Sequence, residues 1–188
     1  MFDLGDTLID GSRKPFPHVE EALARIAEVV TEAGTPLQTC LVSDFMKPKP
    51  PSTPEKISAL FNQYLIILDQ TGLRPFFEPV YRRVTISTHV NASKPSSVIL
   101  KEALRRLGAP SVHFKDCLLI TENQDHVYKV RALPLKMKAL HFGTDFTDWA
   151  EAPALIAKLV SPDGEQRGVA PKEDPTAGNG RGSDEALA

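Results

Sequence analysis

Five short apolar runs separated by longer amphipathic stretches constrain this chain more than any other feature of it. The runs are Met1–Leu4, Thr39–Val42, Val84–Thr88, Cys117–Thr121 and Met137–Phe142. Between them, apolar residues recur at helical spacing. Val19, Leu23, Ile26 and Val30 predict a helix from about His18 to Ala33, stopped by Gly34. Ile57, Leu60, Phe61, Tyr64 and Leu68 predict the buried face of another, from Thr53 to Asp69 and closed by Gly72. Thr53-Pro54-Glu55 is a strong start for it, a capping hydroxyl followed by a first-turn proline. Further helices are expected from Lys94-Pro95 to Leu107, from Asn123 to Ala132 and from Trp149 to Val160. Strands alternating with helices predict an α/β fold, a doubly wound parallel sheet in three layers.

This pattern fills residues 1–160, read as one domain. Beyond about Ser161 the chain has almost no large apolar residues and is rich in Gly, Pro and charge. Such a segment cannot bury enough surface to offset its chain entropy, so residues 161–188 are expected to be disordered. The proline-rich stretch KPKPPSTP reads as a loop. The first run offers only two apolar residues before Asp3: either this strand is stunted or its true start lies upstream. A net charge of -2 and 24% charged residues advertise no basic face for nucleic acid. No apolar run reaches membrane-spanning length, and no signal peptide is evident. Cys40 and Cys117 lie inside apolar runs without the local spacing of a zinc site. They read as buried free thiols, for which a cytoplasmic location is expected.

Polar groups sit just past four of the runs. Asp3 with Asp6, Ser43 with Asp44, Lys94, and Glu122 with Asp125 would face one edge if the strands are parallel. Ligands of open α/β sheets bind at the carboxyl edge. Carboxylates gathered there want a hard cation such as Mg2+. A hydroxyl and a lysine beside them suit a phosphoryl group. Residues 1–10 taken alone also read as a strand and an Asp-rich turn.

The motifs MFDLGDTLID, LVSD, the Lys94-Pro95 helix start and LLITENQDHV follow in an order that resembles the haloacid dehalogenase (HAD) superfamily. The resemblance covers about Met1–Phe142 and implies a Rossmann-like core with these roles. Asp3 attacks the phosphoryl group and becomes an aspartyl-phosphate. Ser43 holds a phosphoryl oxygen and Lys94 neutralises charge. Glu122 binds Mg2+ with Asp3 and the backbone carbonyl of Gly5, and Asp125 is expected at the metal as a further acid. A carboxylate attacking a phosphate dianion needs this screening.

Two departures mark the chain. Gly5 stands where family phosphatases carry a second aspartate as general acid, and Asp6 follows one step later, either as a replacement or as a turn-capping residue. Thr121-Glu122 replaces the usual glycine-aspartate pair, and His126 lies where a second acid commonly sits, reading more simply as a solvated or hydrogen-bonded helix residue. Neither cap insertion point holds enough residues for a separate cap domain, so an open site is expected. It would accept a macromolecule or a bulky phosphorylated metabolite, or a partner that closes it. The expected function is Mg2+-dependent phosphomonoester hydrolysis. A catalytically weak binding or regulatory module is the alternative, and a dehalogenase, whose relatives also lack the second aspartate, is the third.

Overall fold

The computed structural model describes residues 1–31, 33–46 and 52–160. The expected disordered tail, 161–188, and most of the proline-rich loop lie outside the described residues. The architecture is mixed α/β. Its helices are α1 Val19–Ala27, α2 Pro54–Gln70, α3 Val80–Arg83, α4 Ser87–Val90, α5 Ser97–Leu107, α6 Gln124–Arg131 and α7 Ala152–Val160. Its strands are β1 Leu41–Ser43, β2 Val84–Ile86, β3 Leu118–Thr121 and β4 Lys138–His141. β1 pairs with β2 and β3 with β4, both in parallel.

The first apolar run contributes one residue to this pairing. Phe2 makes parallel bridges to Leu41 on one side and Ile120 on the other. Its amide donates to the Cys40 carbonyl at 2.8 Å, and its carbonyl accepts from Val42 at 2.8 Å. The Asp3 amide donates to Ile120 at 2.9 Å. Both two-stranded pairs are thus stitched to the same short segment, and that segment ends at Asp3.

Successive strand residues feed different apolar clusters, as a pleated strand requires. Leu41, Ile120 and Leu140 join Ile26, Leu68 and Trp149. Their neighbours Val42, Leu119 and Ala139 join Ile99, Leu100 and Val127. Strands buried on both faces read as continuous apolar runs, which is why these were visible in the sequence.

Three expectations change. α1 ends at Ala27, and Val30, placed on its buried face by spacing, is 51% exposed. Val30 bridges antiparallel to Pro36 across a turn whose Gly34 has φ +73. That turn also holds the Thr31 amide on the Thr35 carbonyl at 2.8 Å, so the backbone finds partners outside the helix. The third strand stops at Ile86, and Ser87 and Thr88 open α4, where their hydroxyls bond to the chain after β1. Trp149–Glu151 is a separate 3-10 turn ahead of α7, with the Asp148 carboxylate accepting from the Ala150 amide.

The α2 start follows the reading closely. Thr53 Oγ1 accepts from the Lys56 amide at 3.3 Å with Pro54 in the first turn. No helix among the described residues is long and apolar enough to cross a membrane.

Candidate active site

Asp3 ends its run with its side chain turned into a cleft of about 450 Å³ at the carboxyl ends of the strands. The adjoining Leu4 amide donates to Asp3 Oδ1 at 2.8 Å, which fixes the carboxylate against its own backbone. The Lys94 ammonium pairs with Asp3 Oδ2, and the two side chains are only 2% and 10% exposed. Ser43 Oγ, at the end of β1, donates to Asp3 Oδ1 at 3.3 Å. Thr121 Oγ1, at the end of β3, lies 3.3 Å from Asp3 Oδ2. Ser43 and Thr121 therefore flank the carboxylate from the two strands that adjoin the Phe2 segment.

Lys94 arrives from a loop. The Asp44 carboxylate accepts from the Lys94 amide at 2.9 Å, tying the approach to α5 onto the exit of β1. Glu122 sits on the other side. Its Oε2 accepts from Thr7 Oγ1 at 2.6 Å and lies 3.2 Å from Thr121 Oγ1, while its amide donates to Thr7 Oγ1 at 3.0 Å. The Trp149 indole N–H donates to the Thr7 carbonyl at 2.9 Å, so the buried Trp149 anchors this loop from beneath. Asp3, Ser43, Lys94 and Glu122 are thereby brought together around one cleft.

Asp6 also lines that cleft, but it is exposed and holds φ +52, the left-handed region that Asp tolerates better than most residues. Gly5 lines it too, and a Cβ added at Gly5 would meet nothing within 4 Å. Asp125 is exposed in the first turn of α6 and is not among the cleft's lining residues. His126 does line it, with its Nδ1 buried and unpartnered among the described residues. Burial and, next, the Lys94 charge hold the His126 imidazole below its usual value, while Asp3, Asp44 and Glu122 pull it back up.

Sequence reasoning assigned no role to four contributors. Tyr64, expected only as part of the α2 face, donates its buried phenol to Ser43 Oγ at 2.8 Å. Burial pushes that phenol well up, so it stays a donor. A tyrosine in an otherwise apolar stripe was the available signal. Thr121 and Thr7 join the two carboxylates through hydroxyls that a sequence does not orient. Arg13 lines the cleft from a tight loop in which Asp10 Oδ1 accepts from the Ser12 and Lys14 amides at 2.8 and 2.9 Å.

The lining carries five carboxylates, Asp3, Asp6, Asp10, Asp44 and Glu122, against the cations Arg13 and Lys94. Among the described residues, no three His, Cys, Asp or Glu side chains converge into a cation cage. Mg2+ does not require one. It retains several waters and takes one or two carboxylates plus substrate oxygens. Asp3 and Glu122, on either side of the Thr121 hydroxyl in a cleft with excess negative charge, fit that habit.

No family model matches the chain, and no curated protein matches it in sequence.

Proposed function

We propose that this protein is a Mg2+-dependent phosphomonoester hydrolase of the haloacid dehalogenase type, acting through an aspartyl-phosphate on Asp3. One observation carries the reading. A buried carboxylate at the end of a parallel-paired segment is held between a buried lysine and two hydroxyls at the base of an open cleft. A carboxylate locked on its own amide and screened by Lys94 is oriented to attack phosphorus. An Asp3 oxygen forms the new bond to phosphorus while the bond to the leaving oxygen breaks. Ser43 and Lys94 then lie beside the transferred oxygens. Water afterwards attacks the aspartyl-phosphate, releasing phosphate and restoring Asp3. The residues suited to Mg2+ are Asp3, Glu122 and the Gly5 carbonyl, and when bound the ion neutralises charge on the phosphoryl oxygens. The alternation of strand residues between two clusters, with Phe2 joining both pairs, supports a doubly wound sheet whose first strand is very short. The buried free thiols favour a reducing, cytoplasmic setting.

A second reading, a catalytically weak binding module, is favoured by Gly5. With no carboxylate there, the leaving oxygen must take its proton from Asp6 or from water. Loss of a general acid typically costs about 10²- to 10⁴-fold. Aryl phosphates, whose phenolates leave without a proton, should turn over best and alkyl phosphates least.

The test is turnover of both classes with Mg2+ by wild type, Asp3→Asn, Asp6→Asn and Gly5→Asp. Asp3→Asn should abolish turnover. Gly5→Asp, for which there is room, should raise alkyl phosphate hydrolysis. Failure of every variant on every ester would leave the binding module as the reading. Calorimetric titration with Mg2+ should show weaker binding in Asp3→Asn and Glu122→Gln, and equal affinity in all three proteins would remove the metal site.

A further inference from the structure

The cleft has two unlike walls. On the Glu122 side it is polar, with Asn123 and His126. On the β1 side, beyond Asp44, whose carboxylate is engaged by the Lys94 amide, the lining is Phe45, Tyr64 and Ile67. Phe45 is held there by unusual means. Its amide donates to Ser87 Oγ at 2.9 Å, and its carbonyl accepts from Ser87 Oγ at 2.9 Å and from Thr88 Oγ1 at 2.6 Å. Ser87 and Thr88 are both 1% exposed. These buried hydroxyls, with Thr88 also reaching the Met46 carbonyl, fix the backbone at Phe45. The ring packs edge-on against Tyr64, with centroids 5.3 Å apart at 70°. Tyr64 in turn donates to Ser43, and Ser43 to Asp3. Phe45 remains only partly buried. A pre-positioned aromatic wall thus runs continuously into the phosphoryl site.

Resting on the hydrolase reading, we infer that Phe45 and Ile67 form the seat of the leaving group, and that the substrates are phosphomonoesters of apolar, aryl-sized alcohols or phenols. The polar wall and Arg13 do not supply this seat. An apolar body entering on the β1 side covers Phe45 and Ile67 while its phosphoryl group reaches Asp3, Ser43 and Lys94. A small or highly charged leaving group leaves that wall facing water and gains nothing from it.

Leaving-group chemistry also favours aryl esters, so the test must read binding and not rate. Phosphonates with a carbon in place of the bridging oxygen cannot turn over. Calorimetry on the full chain with Mg2+ would compare methylphosphonate, 1-naphthylmethylphosphonate and phosphonoacetate on wild type, Phe45→Leu and Phe45→Ala. The naphthyl ligand should bind wild type at least about tenfold more tightly than methylphosphonate, the gain expected of one buried aromatic contact. Phe45→Ala should collapse that ratio, and Phe45→Leu should keep part of it. Thermal melts of the variants report whether the fold is intact. Equal binding of the methyl and naphthyl ligands, or a preference for phosphonoacetate, overturns the inference and leaves the hydrolase reading standing. An unchanged ratio in Phe45→Ala overturns the assignment to this wall. Failure of all three ligands to bind overturns the phosphoryl site itself.

Discussion

The two ends of the strands are built from opposite materials. At the carboxyl ends the buried residues include Asp3, Ser43, Thr121 and Lys94. At the amino ends lies a mainly apolar cavity of about 420 Å³, lined by Cys40, Leu104, Leu107, Cys117 and Ile156 among others, with Thr39, Asp116 and Lys138 also on its lining. The same backbone pairs run through both. Nothing in strand geometry asks for charge at one end, since a buried ion pair is often no better for stability than apolar residues of the same volume. The polar end is therefore where the proposed site is placed, and the apolar end carries no buried ion pair around Cys40 and Ile156 among the described residues.

The sharpest way to break this contrast is Lys94→Met. It leaves Asp3 buried beside no counter-charge, which should cost about 3–5 kcal/mol. For a chain of this size that corresponds to a melting temperature lower by roughly 10 °C. Asp3→Asn in the same background should recover most of the loss, because the uncompensated charge is then gone. An unchanged melting curve for Lys94→Met would mean the pair is solvated and the contrast false.

Polarity introduced at the other end should cost less. Cys40 is 1% exposed, so Cys40→Ser places a hydroxyl in an apolar wall at about 1–3 kcal/mol. Urea midpoints would read this against Cys40→Ala. A serine as stable as the wild type would show that the cavity is wet.

Tyr64→Phe sharpens the comparison within the polar end. It deletes the donor to Ser43 Oγ and should cost about 1 kcal/mol. Phosphate affinity should fall as well, since Ser43 loses the bond that sets its hydroxyl direction. Stability loss with unaltered phosphate affinity would make Tyr64 a packing residue only.

The remaining effects are in pH. Burial pushes the Cys117 thiol from 9.0 up to about 11, so the folded chain keeps a proton the unfolded chain has lost. That contribution is complete below about pH 9 and is lost as pH rises toward 11. On the acid side, burial and then Arg106 pull His89 from 6.5 down to about 4. Its neutral Nδ1 accepts from the Ile86 amide at 3.1 Å, so stability present above pH 6.5 is lost as pH falls through 4. Denaturant midpoints across pH should slope down at both ends. Cys117→Ala should make the alkaline arm shallower, with Cys40, whose thiol burial also pushes up, keeping part of it, and His89→Gln should do the same to the acid arm.

What the sequence determined by itself was the set of local elements and the polar residues that end them. Parallel strands buried on both faces must be continuously apolar, so β1, β2, β3 and β4 stood out. The Thr53 cap with Pro54 marked α2 because capping is chemistry within a few residues. Asp3, Ser43 and Glu122 could be named because each sits at the end of an apolar run, and Lys94 because Lys94-Pro95 opens a helix after the third run. Val30 was misplaced because helical spacing does not register a turn at Gly34 that gives the backbone other partners. Ser87 and Thr88 read as strand because they continue the β-branched run of Val84, Thr85 and Ile86; their hydroxyl bonds to Phe45, more than forty residues away, belong to a helical turn. Only the tertiary structure decided that Tyr64 faces Ser43, that Thr121 stands between two carboxylates, that Asp125 is turned outward and that Phe45 walls the cleft. The placing of Tyr64, Thr121 and Phe45 depends on bonds between residues distant in the chain. The side chain's type permits such a bond, but only the packing of other elements brings the partner within reach.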